Sequence, residues 1–185
     1  MLNEKISAML NAQFNAELYS AYLYLAYADR FGRLGLDGFA NWYKVQAQEE
    51  LDHALIFRRY LASQGEPVLF DAVDEVSAAD MKIPQILGAA ADHERAVTAM
   101  INDLHDAASA EGDLRTVQLL DWFVREQAEE EDNAGEMIDK YRVYSHCCSG
   151  GDRAHTECGT GCGGGLYALN RELSRRGHSV TEYPL

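Results

Sequence analysis

The chain has 185 residues, with 16 Lys and Arg against 30 Asp and Glu, a formal net charge of −14. That balance argues against a nucleic-acid binder, which needs a cationic face against phosphate, and points toward cations or to solubility alone. At 47% apolar residues the chain can bury one sizeable core. No apolar run approaches the ~18 residues of a membrane span, and the start Met1-Leu2-Asn3-Glu4-Lys5 lacks a secretion-signal layout, so a cytoplasmic location is expected.

The charge is unevenly placed. Residues 1–143 hold 26 acids and 12 bases, whereas 144–185 hold 4 of each. All four cysteines and seven of the fifteen glycines fall within 144–165. The expected organisation is an acidic body over 1–143, a Cys/Gly-rich loop over 144–165, and a short C-terminal helix with its tail over 166–185.

The body reads as four helices. Ile6, Leu10, Phe14, Leu18, Ala21, Leu25 and Ala28 recur at steps of three and four, and Gly32 and Gly35 punctuate the end of that stretch. A second helix is expected from about Asp37 to Gln64, on the stripe Phe39, Tyr43, Ala47, Ala54, Phe57 and Leu61, and Gly65-Glu66-Pro67 stops it. Residues 66–80 offer strand-like fragments at best. A third helix starts near Ile83 with Pro84 in its first turn. After the turn at 111–113 Asp113 caps a fourth, with Val117, Leu120, Phe123, Val124, Ala134, Met137, Ile138 and Tyr141 on its stripe. Residues 145–165 are too rich in glycine for a regular helix, and 166–176 read as a short fifth helix ended by Gly177.

Connection lengths set the topology. The joints near 32–36 and 110–113 are short and make antiparallel neighbours. A helix of ~28 residues is ~42 Å long, and an extended linker of ~15 residues reaches ~50 Å. The middle joint can therefore run the length of the molecule. The expectation is an all-α, ferritin-like four-helix bundle of two hairpins joined by one crossover, plus the fifth helix.

Polar residues inside these apolar stripes carry the chemistry. Glu17 falls on the buried face of the first helix, Glu50 with His53 on the second, Glu94 on the third, and Gln127 with Glu130 on the fourth. The spacing repeats: Glu17 to Glu50 and Glu94 to Gln127 are both 33 residues, and Glu17 to His53 and Glu94 to Glu130 are both 36. Each hairpin thus offers one carboxylate facing an i, i+3 pair on a single helix face. Four glutamates converging in one core would repel and could not all stay ionised, a conflict that two cations remove. An oxygen-rich set with one imidazole suits iron or manganese better than structural zinc.

The motifs Asn-Ala-Glu-Leu-Tyr-Ser (15–20), Gln-Glu-Glu-Leu-Asp-His (48–53), His-Glu-Arg (93–95) and Trp-Phe-Val-Arg-Glu-Gln-Ala-Glu-Glu-Glu (122–131) resemble the bacterial non-haem ferritins. The resemblance covers residues 1–143 and resumes at 166–174. It implies an iron-storage protein with a di-iron ferroxidase centre, oxidising Fe(II) with dioxygen or peroxide in a 24-subunit shell. One iron would sit on Glu17, Glu50 and His53, and the second on bridging Glu50, Glu94 and Glu130. Gln127 would line the dioxygen pocket and Tyr24 would stand by as an electron donor. Glu49, Glu126 and Glu129 match the third iron site of the family, with Glu130 shared. Leu51 stands where bacterioferritin carries its haem-ligating methionine, so no haem is expected.

The remaining acids Glu131 and Asp132 read as surface, and His93 and His105 as surface or structural residues. The segment carrying Cys147, Cys148, Cys158 and Cys162 departs from the family. It is compatible with an iron–sulfur cluster, with zinc, or with a loop of free thiols, and its spacing matches no standard zinc-ribbon or ferredoxin pattern. An alternative activity, a rubrerythrin-like peroxidase or electron-transfer protein, would draw electrons from this tail.

Overall fold

A computed structural model of the chain describes residues 2–146 and 164–180. Five helices are present: α1 (Glu4–Arg33), α2 (Asp37–Ser63), α3 (Ile83–Ala110), α4 (Leu114–His146) and α5 (Gly164–Leu173). Among the described residues there is no strand, and no helix is long and apolar enough to cross a membrane.

The helices start and stop where side chains can satisfy their ends. Asn3 caps α1, its Oδ1 accepting from the Lys5 amide at 2.8 Å. Asp113 does the same for α4 through the Thr116 amide at 3.2 Å. Gly35 and Gly112 take the left-handed conformation, φ 71° and 68°, just past the ends of α1 and α3. That conformation suits glycine and lets each hairpin turn within a few residues.

Residues 66–82 form no strand. They run extended along α1, with several of their backbone groups hydrogen-bonded to its side chains. Asn11 Oδ1 accepts from the Leu69 amide at 2.7 Å, and Asn15 Oδ1 from the Asp71 amide at 2.9 Å. At the far end Arg30 Nε donates to the Met81 carbonyl at 2.9 Å. The crossover therefore spans the bundle from Asn11 to Arg30, as its length requires, and α1 supplies the hydrogen bonds that a neighbouring strand would have given.

Two stripe assignments are corrected. Leu25 and Val124, placed by periodicity with the core, are 52% and 40% exposed. In α1 the inward positions beyond Glu17 are Ser20, Leu23, Tyr24, Tyr27 and Phe31. The second apolar face, with Leu18, Ala21, Tyr22 and Leu25, opens outward and lines a shallow groove with Leu51 and Val73. A straight α-helix turns slowly relative to a fixed three-and-four pattern, so over 30 residues two faces become apolar and only one can face the core. The boundaries of the tail also shift: α4 continues to His146, and α5 begins at Gly164 and ends at Leu173, short of the expected Arg176.

α5 packs across one end of the bundle, against α2 and α4. Leu36 at the start of α2 offers no side-chain cap. Asn170 of α5 supplies one instead: its Oδ1 accepts from the amides of Gly38 at 2.8 Å and Phe39 at 3.2 Å. The approach depends on Gly38, because a Cβ there would lie 1.6 Å from the Asn170 carbonyl oxygen.

The core is split into two. One apolar cluster gathers Ile6, Leu10, Phe14, Phe57, Ile101 and Phe123, among others. The other gathers Tyr24, Phe31, Phe39, Tyr43, Leu87 and Met137. Along every helix of the bundle, the predicted carboxylates and their neighbours fall between these two clusters.

Candidate metal centre

Glu17, Glu50, His53, Glu94, Gln127 and Glu130 are all buried, each 6% exposed or less. The steps of three and four that put each on an apolar stripe also aim it inward, and the antiparallel hairpins bring the four stripes to one level. The ligand atoms of Glu17, Glu50 and His53 lie within 4.8 Å of one another, and so do those of Glu50, Glu94 and Glu130. Glu50 belongs to both groups. The arrangement is two three-residue half-sites sharing one carboxylate.

Several polar atoms of this layer are unsatisfied by protein. Glu17 Oε2 and both ring nitrogens of His53 are buried with no hydrogen-bond partner. His53 Nδ1 is 3.4 Å from Glu50 and Nε2 is 3.8 Å from Glu126, near enough for attraction between charges but outside hydrogen-bond geometry. Orphaned buried donors and acceptors cost free energy, and a cation between them removes that cost. The donor set, four carboxylates and one imidazole, fits iron or manganese.

Electrostatics reports the same conflict. Burial, then the neighbouring Glu50 charge, pushes the Glu17 carboxyl up to about 8, against an opposing pull from His53. Burial raises Glu94 to about 7, with Gln127 opposing. Burial followed by Glu50 and Glu94 lifts Glu130 well above the ordinary range. Burial works against a charged His53, yet Glu126, Glu50 and Glu17 outweigh it and raise the imidazole well above its usual value. Glu50 moves the other way: burial would raise it, but His53, Gln46 and Glu17 together hold it low. Without metal the layer keeps protons that a bound cation would displace.

A shell of side chains holds the ligands. Gln13 Nε2 donates to Glu17 Oε1 at 2.8 Å. Gln46 Nε2 donates to Glu130 Oε2 at 2.6 Å and to Glu50 Oε1 at 3.3 Å. The Tyr24 hydroxyl donates to Glu94 Oε1. Gln127 Nε2 reaches Glu94 Oε2 at 3.4 Å and Thr98 Oγ1 at 3.4 Å, so it supports a ligand rather than belonging to either ligand group. The His53 ring is boxed edge-on by Trp122 and Phe123, at centroid distances of 5.8 and 5.7 Å. A small cavity of about 20 Å³, bordered by Tyr24, Tyr43, Gln46, Glu94 and Glu130, leaves room for roughly one small molecule beside the second half-site. Gln13 and Gln46 were missed in the sequence. Their signal was available, since each lies four residues before a ligand on the same helix face.

The third set behaves differently. Glu49, Glu126 and Glu129 form no further three-ligand group among the described residues. Glu49 is paired with Arg176, Glu126 faces His53, and Glu129 is exposed. His93 is structural, with Ser20 Oγ 2.8 Å from its Nε2 and the rings of Tyr19 and Tyr24 against it. His105 pairs with Asp121 across α3 and α4 at 3.1 Å. Cys147, Cys148, Cys158 and Cys162, with the iron–sulfur and zinc readings attached to them, lie outside the described residues.

The ferritin family, described as a ferritin-like domain, matches residues 7–143. The chain belongs to the ferritin family. It is similar to a bacterial non-heme ferritin of Bacteroides fragilis, 37% identical over 142 residues, covering 77% of this chain and 89% of that one. It is also similar to the bacterial non-heme ferritin of Staphylococcus saprophyticus, 35% identical over 98% of this chain and all of the relative. Among solved structures it resembles the open-pore ferritin of the archaeon Archaeoglobus fulgidus, with a TM-score of 0.84, 37% identity, and coverage of 96% of this chain and 100% of that chain. The ferritin family binds iron, and the two half-sites offer carboxylate and imidazole groups that could hold a metal.

Proposed function

We propose that the chain is an iron-storage protein with ferroxidase activity. The observation that supports this best is the pair of buried half-sites joined at Glu50. Two Fe(II) ions enter as substrate, one at Glu17, Glu50 and His53, the other at Glu50, Glu94 and Glu130. Each displaces protons that burial had kept on the carboxyls. Hard oxygen donors stabilise Fe(III) over Fe(II), which lowers the potential and favours electron transfer to dioxygen or peroxide. Tyr24, hydrogen-bonded to Glu94, stands close enough to supply an additional electron. Ferric product leaves for the interior of a 24-subunit shell in the cytoplasm. The outward apolar groove of Leu18, Tyr22, Leu25 and Leu51 supports such assembly, as an exposed apolar surface of this kind calls for a subunit partner.

The test is stopped-flow absorbance of Fe(II) oxidation by the wild-type chain and by Glu50→Ala and His53→Ala. Both substitutions are expected to abolish the fast phase, and wild-type kinetics in both would overturn the reading. Mass photometry checks the shell, and iron counting after aerobic loading checks storage, for which hundreds of ions per assembly are expected.

A further inference from the structure

Beyond α5 the chain turns back along α2. Asn41 Nδ2 donates to the carbonyls of Leu173 at 3.3 Å and Arg176 at 2.9 Å, fastening this return segment to the helix. His178 Nε2 then meets Asp52 Oδ2 at 2.9 Å. Between these anchors the Arg176 guanidinium lies over the Trp42 ring, 4.1 Å from its centroid, and pairs with the Glu49 carboxylate. Its Nη1 also donates to Gln46 Oε1 at 2.9 Å.

This is more than a surface ion pair. The Arg176 and Glu49 side chains are only 17% and 18% exposed, and the cation has an aromatic face and two side-chain acceptors. The same guanidinium orients Gln46. With Oε1 turned to Arg176, the Gln46 amide nitrogen must point to Glu130 and Glu50, where it is found. A second cation on Glu49 would sit beside a fixed positive charge and be repelled by it.

We propose that Arg176 is a built-in cation of the centre, occupying the carboxylate of Glu49 so that the chain holds two metal ions per subunit and admits a third only when the 174–180 segment is released. The inference rests on the proposed iron centre and adds to it a residue that limits its capacity. It makes Arg176 a positioning residue, acting through Glu49 and Gln46 and touching no iron itself.

Crystals of the full chain soaked in Tb(III), a redox-inert ion that prefers oxygen donors, test this by anomalous scattering. The wild-type and Arg176→Lys chains should show two peaks per subunit, at the two half-sites. Arg176→Gln should add a third against Glu49, and Glu49→Gln with Arg176→Gln should lose it. In solution, Tb(III) emission sensitised by Trp42 should rise in Arg176→Gln and stay at the wild-type level in Arg176→Lys. No third peak and no gain in emission in Arg176→Gln would overturn the inference while leaving the two-ion centre standing. A third peak at Glu49 in the wild-type chain would overturn it too. Absence of both half-site peaks from the wild-type chain would instead remove the iron centre, and this inference with it.

Discussion

Gln46 Nε2 lies 2.6 Å from Glu130 Oε2, an amide from the first hairpin holding a carboxylate from the second. The contact ties α2 to α4 at the level of the metal ligands. A partner that orients a ligand typically contributes tenfold to a hundredfold in metal affinity or activity. Gln46→Leu should therefore weaken Fe(II) binding about tenfold or more by that rule, while the fold persists. Anaerobic isothermal titration of Fe(II), set beside the far-ultraviolet spectrum, checks both halves of the expectation.

Tyr24 plays the matching part for Glu94, joining α1 to α3. Tyr24→Phe keeps the ring that packs on Tyr27 and Tyr43 and removes only the hydroxyl. Fe(II) oxidation should slow by about tenfold, the low end of the range for lost ligand support, with two ions still bound per subunit. Unchanged oxidation rates would show that Glu94 needs no such support.

Metal-free stability should fall as pH rises. The Glu17 carboxyl stands at about 8 in the folded chain against an ordinary 4.5. Between those values the folded chain keeps a proton that the unfolded chain has released, so raising pH favours unfolding, by on the order of 1 kcal/mol per pH unit for such a group. Glu94, at about 7, acts in the same direction. The raised His53 does too, its contribution being present below the ordinary histidine value and lost as pH passes its folded one. Glu50, held low, matters only in acid. Calorimetric melting of the metal-free protein should drop by several degrees from pH 5.5 to 8.5, and Glu17→Gln should flatten that slope.

The metal dependence has the opposite sign. Both half-sites must shed protons to bind, so affinity for Fe(II) should fall as pH is lowered through about 8 and then about 7, the positions of Glu17 and Glu94. Titrations in buffers of different ionisation heat should show proton release on binding at pH 6.5 and less of it at pH 8.5.

Gly38→Ala should separate the bundle from its fifth helix. The new Cβ would fall 1.6 Å from the Asn170 carbonyl, so α5 must move and its cap on α2 is lost. Overpacking of this kind costs roughly 1–3 kcal/mol, and the lost cap about 1 more. Limited proteolysis should cut within 164–180 faster in the variant, with residues 4–140 still protected.

Sequence alone determined the parts of this protein that are local or periodic. Steps of three and four fixed four helices, and the 33- and 36-residue repeats placed Glu17, Glu50, His53, Glu94 and Glu130 on facing stripes, because helical period and hairpin length together set which residues share a level. The length of 66–80 implied the crossover, since an extended segment of that size can span the bundle. Tertiary structure decided the rest. It turned Leu25 and Val124 outward, because a helix with two apolar faces can bury only one against its partners. It found hydrogen bonds for the crossover on Asn11 and Asn15, which no pattern within 66–82 could reveal. It also divided the acids that local sequence grouped together: Glu49 and Glu50 are neighbours in the chain, but one turns into the core to join two half-sites and the other meets Arg176, 127 residues away. Charge pairing at that distance depends on where α5 docks, and docking depends on packing across the end of the bundle.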